Sequence, residues 1–203
     1  MKFINGVSDE KSKEFAEELC INLSKKDRII PGNFLYVTDI MCNPQIIKQA
    51  AKILSSFFSG EHIDYVITVE TKGIPLAYEV ANLLGVQLVV VRRENKLTEG
   101  STLSINYVSG SSGRVQNMYV SKDAIKKNSN CIFIDDFMKA GGTALGIINL
   151  LKEFESKLLG IGGVLIDNTD ITKKLVNDYF SIIDFNGFDD NGNIVVRPSK
   201  LFR

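Results

Sequence analysis

The chain is predicted to be an α/β domain, a parallel sheet flanked by helices, and three observations carry that prediction. From residue 65 onward, strand-like and helix-like segments alternate: Tyr65–Val69, Gln87–Val91, Cys131–Ile134 and Leu159–Ile166 against Gly73–Leu84 and Gly142–Phe154. Strands alternating with helices imply right-handed crossovers and hence parallel pairing. The strand-like runs are apolar almost throughout, as strands buried on both faces must be. Finally, 203 residues of which 44% are hydrophobic supply one large domain with a real core.

The elements follow in order along the chain. Residues 9–25 form an amphipathic helix, with Phe15, Leu19 and Leu23 at i, i+4 and i+8, acids near its start and Lys25-Lys26 at its end. Pro31-Gly32 breaks it, and Phe34–Thr38 is a short strand or extended arm. Asn43 is suited to cap a second helix that has Pro44 at its first position, runs to Phe58 and stops at Gly60. After the strand Tyr65–Val69, a helix from Gly73 is closed by Gly85, and the strand Gln87–Val91 follows. Cys131–Ile134 is the third core strand, Leu159–Ile166 the fourth, Thr172–Tyr179 a short helix and Ser181–Phe185 a fifth strand. Residues 1–60 are thus a helical region packed on the core or forming a dimer interface, 61–185 the core domain, and 186–203 a C-terminal tail.

One region departs from this alternation. Residues 92–120 are rich in Gly, Ser and Thr, with Lys96, Tyr107 and Arg114 spaced through them. Leu103–Tyr107 and Val115–Tyr119 are expected to pair as an antiparallel arm. Inserts of this length in a compact domain are usually functional or mobile; the plainer reading is a surface hairpin.

Composition excludes several classes. With 24 basic and 24 acidic residues the formal charge is zero, so this stretch by itself lacks the basic face of a strong nucleic-acid binder. No apolar run approaches the roughly 20 residues of a membrane span, and the N-terminus lacks the apolar core of a signal peptide. Cys20, Cys42 and Cys131 have no metal-ligand spacing and fit a reducing cytoplasm as buried small hydrophobes. The single histidine, His62, follows Gly60 in a turn and reads as a surface residue.

The chemistry concentrates in Cys131–Thr143. An apolar strand delivers Asp135 and Asp136 to one sheet edge, and a loop with paired glycines opens a helix. Two carboxylates can accept hydrogen bonds from the 2- and 3-hydroxyls of a ribose 5-phosphate. Lys139, Ala140, Gly141, Gly142 and Thr143 can hold its phosphate through backbone N–H groups and the helix N-terminus. In an ordinary βα turn the acids would merely cap the helix, but adjacent carboxylates repel unless a ligand or cation lies between them. A second loop, Thr71, Lys72 and Gly73, ends the first core strand with backbone donors and a cation. Arg92-Arg93 follow the next strand and either supply charge to a diphosphate, Arg92 in particular, or form a solvated rim. Phe137 stacks on a base or packs in the core.

The acid pair, Gly-Gly-Thr and helix resemble the phosphoribosyl-pyrophosphate (PRPP) signature of type I phosphoribosyltransferases. The longer runs Thr71–Ala77, Arg92–Thr102, Ser104–Ser112 and Asp135–Thr143 resemble the purine operon repressors of Gram-positive bacteria. That resemblance implies a type I phosphoribosyltransferase fold with a flexible hood or arm (residues 92–120, bearing Lys96, Tyr107 and Arg114). It also implies pyrophosphate held by Thr71, Lys72, Gly73 and Arg92, and a cytoplasmic homodimer with no membrane role. The effector would be PRPP or guanosine tetraphosphate, with Mg²⁺ held by Asp135 and Asp136 mostly through ligand or water. The family reads operator DNA through a winged-helix domain, and the chain is expected to start at the effector domain, because no basic recognition helix precedes residue 9. Two positions differ from working transferases: Lys139 stands where the hypoxanthine–guanine branch has an aspartate that contacts the purine, and Ala140 where a threonine is frequent. The expectation is therefore a sensor that binds without transferring; the alternative is an active xanthine or adenine phosphoribosyltransferase.

Overall fold

The computed structural model of the chain describes residues 9–30, 34–96, 98, 100–109, 113–139, 141–168 and 179–202. The core is a six-stranded sheet made of β3 (Tyr65–Val69), β4 (Gln87–Val91), β7 (Asn130–Met138), β8 (Lys157–Asp167), β9 (Phe180–Phe188) and β10 (Ile194–Pro198). The order is β10-β9-β8-β7-β3-β4, parallel except for the antiparallel β9–β10 pair. Helices α3 (Pro44–Phe57) and α4 (Ile74–Leu84) cover one face together with α1 (Glu10–Leu23), and α5 (Gly142–Glu153) covers the other. Strand alternation divides the core accordingly: Ile132 and Ile134 join Leu54 and Phe58 on one side, while Cys131 and Phe133 join Ile147 and Met118 on the other.

Local signals set the helix ends as the residues imply. Asp9 accepts the Ser12 N–H at 2.9 Å to cap α1. Asn43 Oδ1 accepts from Gln45 N at 2.9 Å and Ile46 N at 3.4 Å, with Pro44 in the first turn of α3. Gly85 ends α4 at φ 68°, a left-handed conformation that favours glycine. α1 lies against β9 and β10, and α3 against α4 and β9, so the N-terminal helices pack on the core. Phe180 fastens that side, stacked on Phe57 at 4.7 Å and edge-on to Phe58 at 5.6 Å.

Several elements differ from the expectation. Residues 186–203 are not simply a tail: they carry the end of β9 and the edge strand β10, whose Val196 pairs with Phe185. Its apolar run is only Ile194-Val195-Val196, followed by Arg197 and Pro198, so the strand is short and weakly marked. The short strand β2 (Phe34–Leu35) pairs with β1 (Ile29–Ile30), but Thr38 already opens a helical turn, α2 (Thr38–Met41). Cys42 follows that turn exposed instead of buried, whereas Cys131 is buried. His62 is 82% exposed and lies 3.2 Å from Asp64, a surface pair. The expected break at Pro31-Gly32 and helix over 172–178 lie outside the described residues.

The arm is a hairpin, β5 (Thr102–Val108) against β6 (Val115–Ser121), in continuous register from Thr102↔Ser121 to Val108↔Val115. It is packed rather than loose: Met118 is fully buried, and Gly146 of α5 approaches so closely that a Cβ there would lie 3.0 Å from Met118 and Tyr107. No described helix is long and apolar enough to cross a membrane.

Candidate functional site at the carboxyl ends of the central strands

A cleft of about 480 Å³ opens where the central parallel strands end, the usual ligand position in such sheets. β7 does not stop before the acids. It continues through Asp135 and Asp136 to Met138, paired with β8 as far as Met138↔Ile166. Successive side chains therefore alternate across the strand, and the pair is held by the ladder rather than by a loop. Asp136 is buried, and its backbone N–H donates to Asp135 Oδ1 at 3.0 Å. Burial first, then the neighbouring Asp136 charge, holds the Asp135 carboxyl well above the usual carboxylate range.

The loop after β3 rests directly on this acid. A Cβ on Gly73 would stand 2.7 Å from Thr68 Oγ1 and 2.8 Å from Asp135 Oδ1, so only glycine lets Thr71–Gly73 approach so closely. Among the described residues, the buried Thr68 hydroxyl has no hydrogen-bond partner. The peptide between Glu70 and Thr71 is cis. Thr71 and Lys72 are exposed and line the cleft. Facing them, Lys139, Gly141, Gly142 and Thr143 line it from the start of α5. Gly141 caps that helix at φ 68° and no side chain caps it, so its first N–H groups point outward, as an anion site requires. Ala140 lies outside the described residues.

The two arginines after β4 take different positions. Arg93, not Arg92, lines the cleft. Arg92 pairs with Glu70 at 3.2 Å and bridges Tyr119 of the arm through its backbone. Consecutive side chains at a strand end point to opposite faces, so only one of the two can look into the site. Glu70 lines the cleft as well. Burial raises its carboxyl, but the Arg93 N–H and Arg92 outweigh this and leave it below the usual range.

The arm residues separate. Tyr107 is buried against α5 with its hydroxyl reaching Arg93 at 2.6 Å. Lys96 is exposed beside Glu94 at 2.8 Å, and neither it nor Arg114 is among the residues lining the cleft. Phe137 lines the cleft, and its ring meets Phe185 edge-on at 6.1 Å.

Sequence reasoning missed an apolar wall, Ile30, Leu35 and Val37, that the β1–β2 hairpin brings to the cleft from far along the chain, and Ser109 from the arm. The only available signal was the apolar character of residues 29–37. Among the described residues no three His, Cys, Asp or Glu side chains converge to hold a metal. Two carboxylates beside a phosphate-suited loop instead fit Mg²⁺ carried mostly by water and ligand oxygens.

Comparison with known proteins agrees with this geometry. Residues 37–198 match the phosphoribosyl transferase domain family. The chain is 47% identical over 183 residues to the purine biosynthesis transcriptional repressor PurR of Bacillus subtilis, covering 90% of this chain and 64% of that protein. It is 45% identical over 202 residues to the probable purine biosynthesis transcriptional regulator PurR of Streptococcus pneumoniae, covering 98% of this chain and 73% of that protein. Its fold superposes on an adenine phosphoribosyltransferase from Thermoanaerobacter pseudethanolicus with a TM-score of 0.74 at 22% identity, covering 84% of this chain and 99% of that one.

Proposed function

Because this chain belongs to the phosphoribosyl transferase domain family and, within it, to the purine biosynthesis transcriptional regulators, we propose that its cleft is the effector site of a purine-gene repressor, binding PRPP or guanosine tetraphosphate without transferring the phosphoribosyl group. One observation carries this reading: the acid pair, Lys72 and the Lys139–Thr143 loop, four residues of which are described, line the same cleft.

In this reading Asp135 and Asp136 accept the ribose 2- and 3-hydroxyls. The backbone N–H groups of Gly141, Gly142 and Thr143 hold the 5-phosphate, with Lys139 supplying charge. Thr71, Lys72 and Gly73 hold the pyrophosphate. Mg²⁺, when bound, would neutralise ligand phosphates above the two carboxylates. Phe137 and the wall of Ile30, Leu35 and Val37 offer an apolar seat for a purine ring. A lysine ammonium at position 139 carries donors and no acceptor for the purine proton, so the site favours holding over transfer. The regulator acts in the cytoplasm as a homodimer, with operator DNA read by a winged-helix domain outside these residues. The effector changes DNA affinity only to the extent that it prefers one conformation of the whole protein.

Calorimetric titration with PRPP and with guanosine tetraphosphate, with and without Mg²⁺, tests this. The variant Asp136→Ala and an assay of pyrophosphate release with each purine base complete it. Binding that Asp136→Ala abolishes, without release, is the expected result. Rapid release with xanthine or adenine would make the protein a transferase, and absence of binding would make the acid pair structural.

A further inference from the structure

Thr68 lies in a strand that is buried at every position, with Val66, Ile67 and Val69 around it, and is itself 0% exposed. A β-branched side chain suits such a strand, and valine would fill the same space. The hydroxyl is what sets threonine apart, and among the described residues it has no hydrogen-bond partner. Buried polar groups are almost always paired, and an unpaired hydroxyl lowers stability, so packing of the core gives no reason for this one.

Its place supplies a reason. The spot that a Cβ on Gly73 would take is 2.7 Å from Thr68 Oγ1 and 2.8 Å from Asp135 Oδ1, so both oxygens border one small space under the Thr71–Gly73 loop, and glycine keeps it clear. β3 and β7 are parallel neighbours, paired as far as Ile67↔Phe133, which brings the two side chains to the same end of the sheet. Asp135 Oδ1 already accepts the Asp136 N–H at 3.0 Å. A carboxylate oxygen accepts more than one donor, and the Thr68 hydroxyl is a donor in need of an acceptor.

We propose that Thr68 is a positioning residue for the acid pair: when a ribose-bearing ligand draws the Asp135 carboxyl into place, the Thr68 hydroxyl donates to Oδ1 and fixes it there. The inference rests on the reading of the cleft as a ribose and polyphosphate site given above. Thr68 itself is not among the residues lining the cleft, so it acts on the ligand only through Asp135. Its hydroxyl is unpaired in the arrangement described here and paired when ribose is bound. Binding thus removes a penalty that the unbound protein carries, and affinity rises by that difference.

The test compares Thr68→Val, which keeps the shape and removes the hydroxyl, with Thr68→Ser, which keeps the hydroxyl. Each is titrated with PRPP and with inorganic pyrophosphate, both with Mg²⁺, and its thermal midpoint is measured without ligand. Thr68→Val is expected to melt above wild type by about 2–4 °C, the shift that removing one such penalty gives a chain of this length. It should bind PRPP about tenfold more weakly, the scale of one hydrogen bond to a charged group. Its pyrophosphate affinity should be unchanged, because pyrophosphate presents no ribose to Asp135. Thr68→Ser should recover the PRPP affinity of wild type. A Thr68→Val midpoint below wild type would mean that the hydroxyl is already paired without ligand, and it overturns the proposal. Unchanged PRPP affinity in Thr68→Val, equal losses for PRPP and pyrophosphate, or no recovery in Thr68→Ser likewise overturns the positioning role while leaving the effector site standing. Wild-type protein that binds neither ligand overturns both.

Discussion

Gly73 and Asp135 sit in contact across the cleft floor: the position of a Cβ on Gly73 is 2.8 Å from Asp135 Oδ1 and 3.4 Å from its Cα. The loop expected to hold pyrophosphate and the acid expected to hold ribose are therefore one packed unit.

Gly73→Ala tests that contact. The conformation of Gly73, φ −68°, is open to alanine, so the effect is one of space alone. Thr68 and the β7 backbone cannot both retreat, and overpacking of this kind costs about 1–3 kcal/mol. Urea unfolding should show a lower midpoint with an unchanged slope, and PRPP affinity should fall by about tenfold or more as the loop lifts. Wild-type stability and affinity in Gly73→Ala would show that the loop yields freely.

Asp135→Asn should separate stability from binding. The folded-state carboxyl titrates above its unfolded value of about 3.9, so it adds most to stability below that pH and loses this contribution as pH rises through the raised pKa. In chelator-treated, ligand-free protein the asparagine variant should unfold higher than wild type at pH 7, by about 2–4 °C for each kcal/mol of repulsion removed, and the gap should close toward pH 4. PRPP binding should be lost. A variant less stable than wild type at pH 7 would mean that the empty pair is not strained.

The cysteines give a third check. Burial, with Asp184 nearby, pushes the Cys20 thiol up to about 12; burial, with Asp64 nearby, does the same for Cys131. At pH 8 only about one thiol in ten thousand at either site is thiolate, while Cys42 is exposed. Intact-mass analysis after iodoacetamide should find one modification in native protein, at Cys42, and three in denaturant. Rapid native labelling of Cys131 would mean that the sheet opens beneath the cleft.

Much of this arrangement was legible in the residues. Asn43-Pro44 and Gly85 mark helix ends through backbone hydrogen bonding that spans a few residues. The acid pair was recognisable for the same reason: Asp135, Asp136 and the glycine loop that follows are contiguous, and their strand and helix are set by local period and capping. The edge strand β10 was not legible, because its apolar run of Ile194-Val195-Val196 is too short to mark a strand alone and its place is set by pairing with β9.

The chain's order of residues by itself determined the α/β alternation, the places where helices start and stop, and which two loops carry phosphate-suited groups, since each depends on neighbours within about one turn or one strand. Tertiary structure alone decided which side chains meet. It turned Arg93 and not Arg92 into the cleft, laid Tyr107 and Gln116 on it from the arm, and carried Ile30, Leu35 and Val37 across the chain to form the apolar wall. Those contacts join residues far apart in sequence, and their geometry follows from how strands twist and helices pack, which no local pattern encodes.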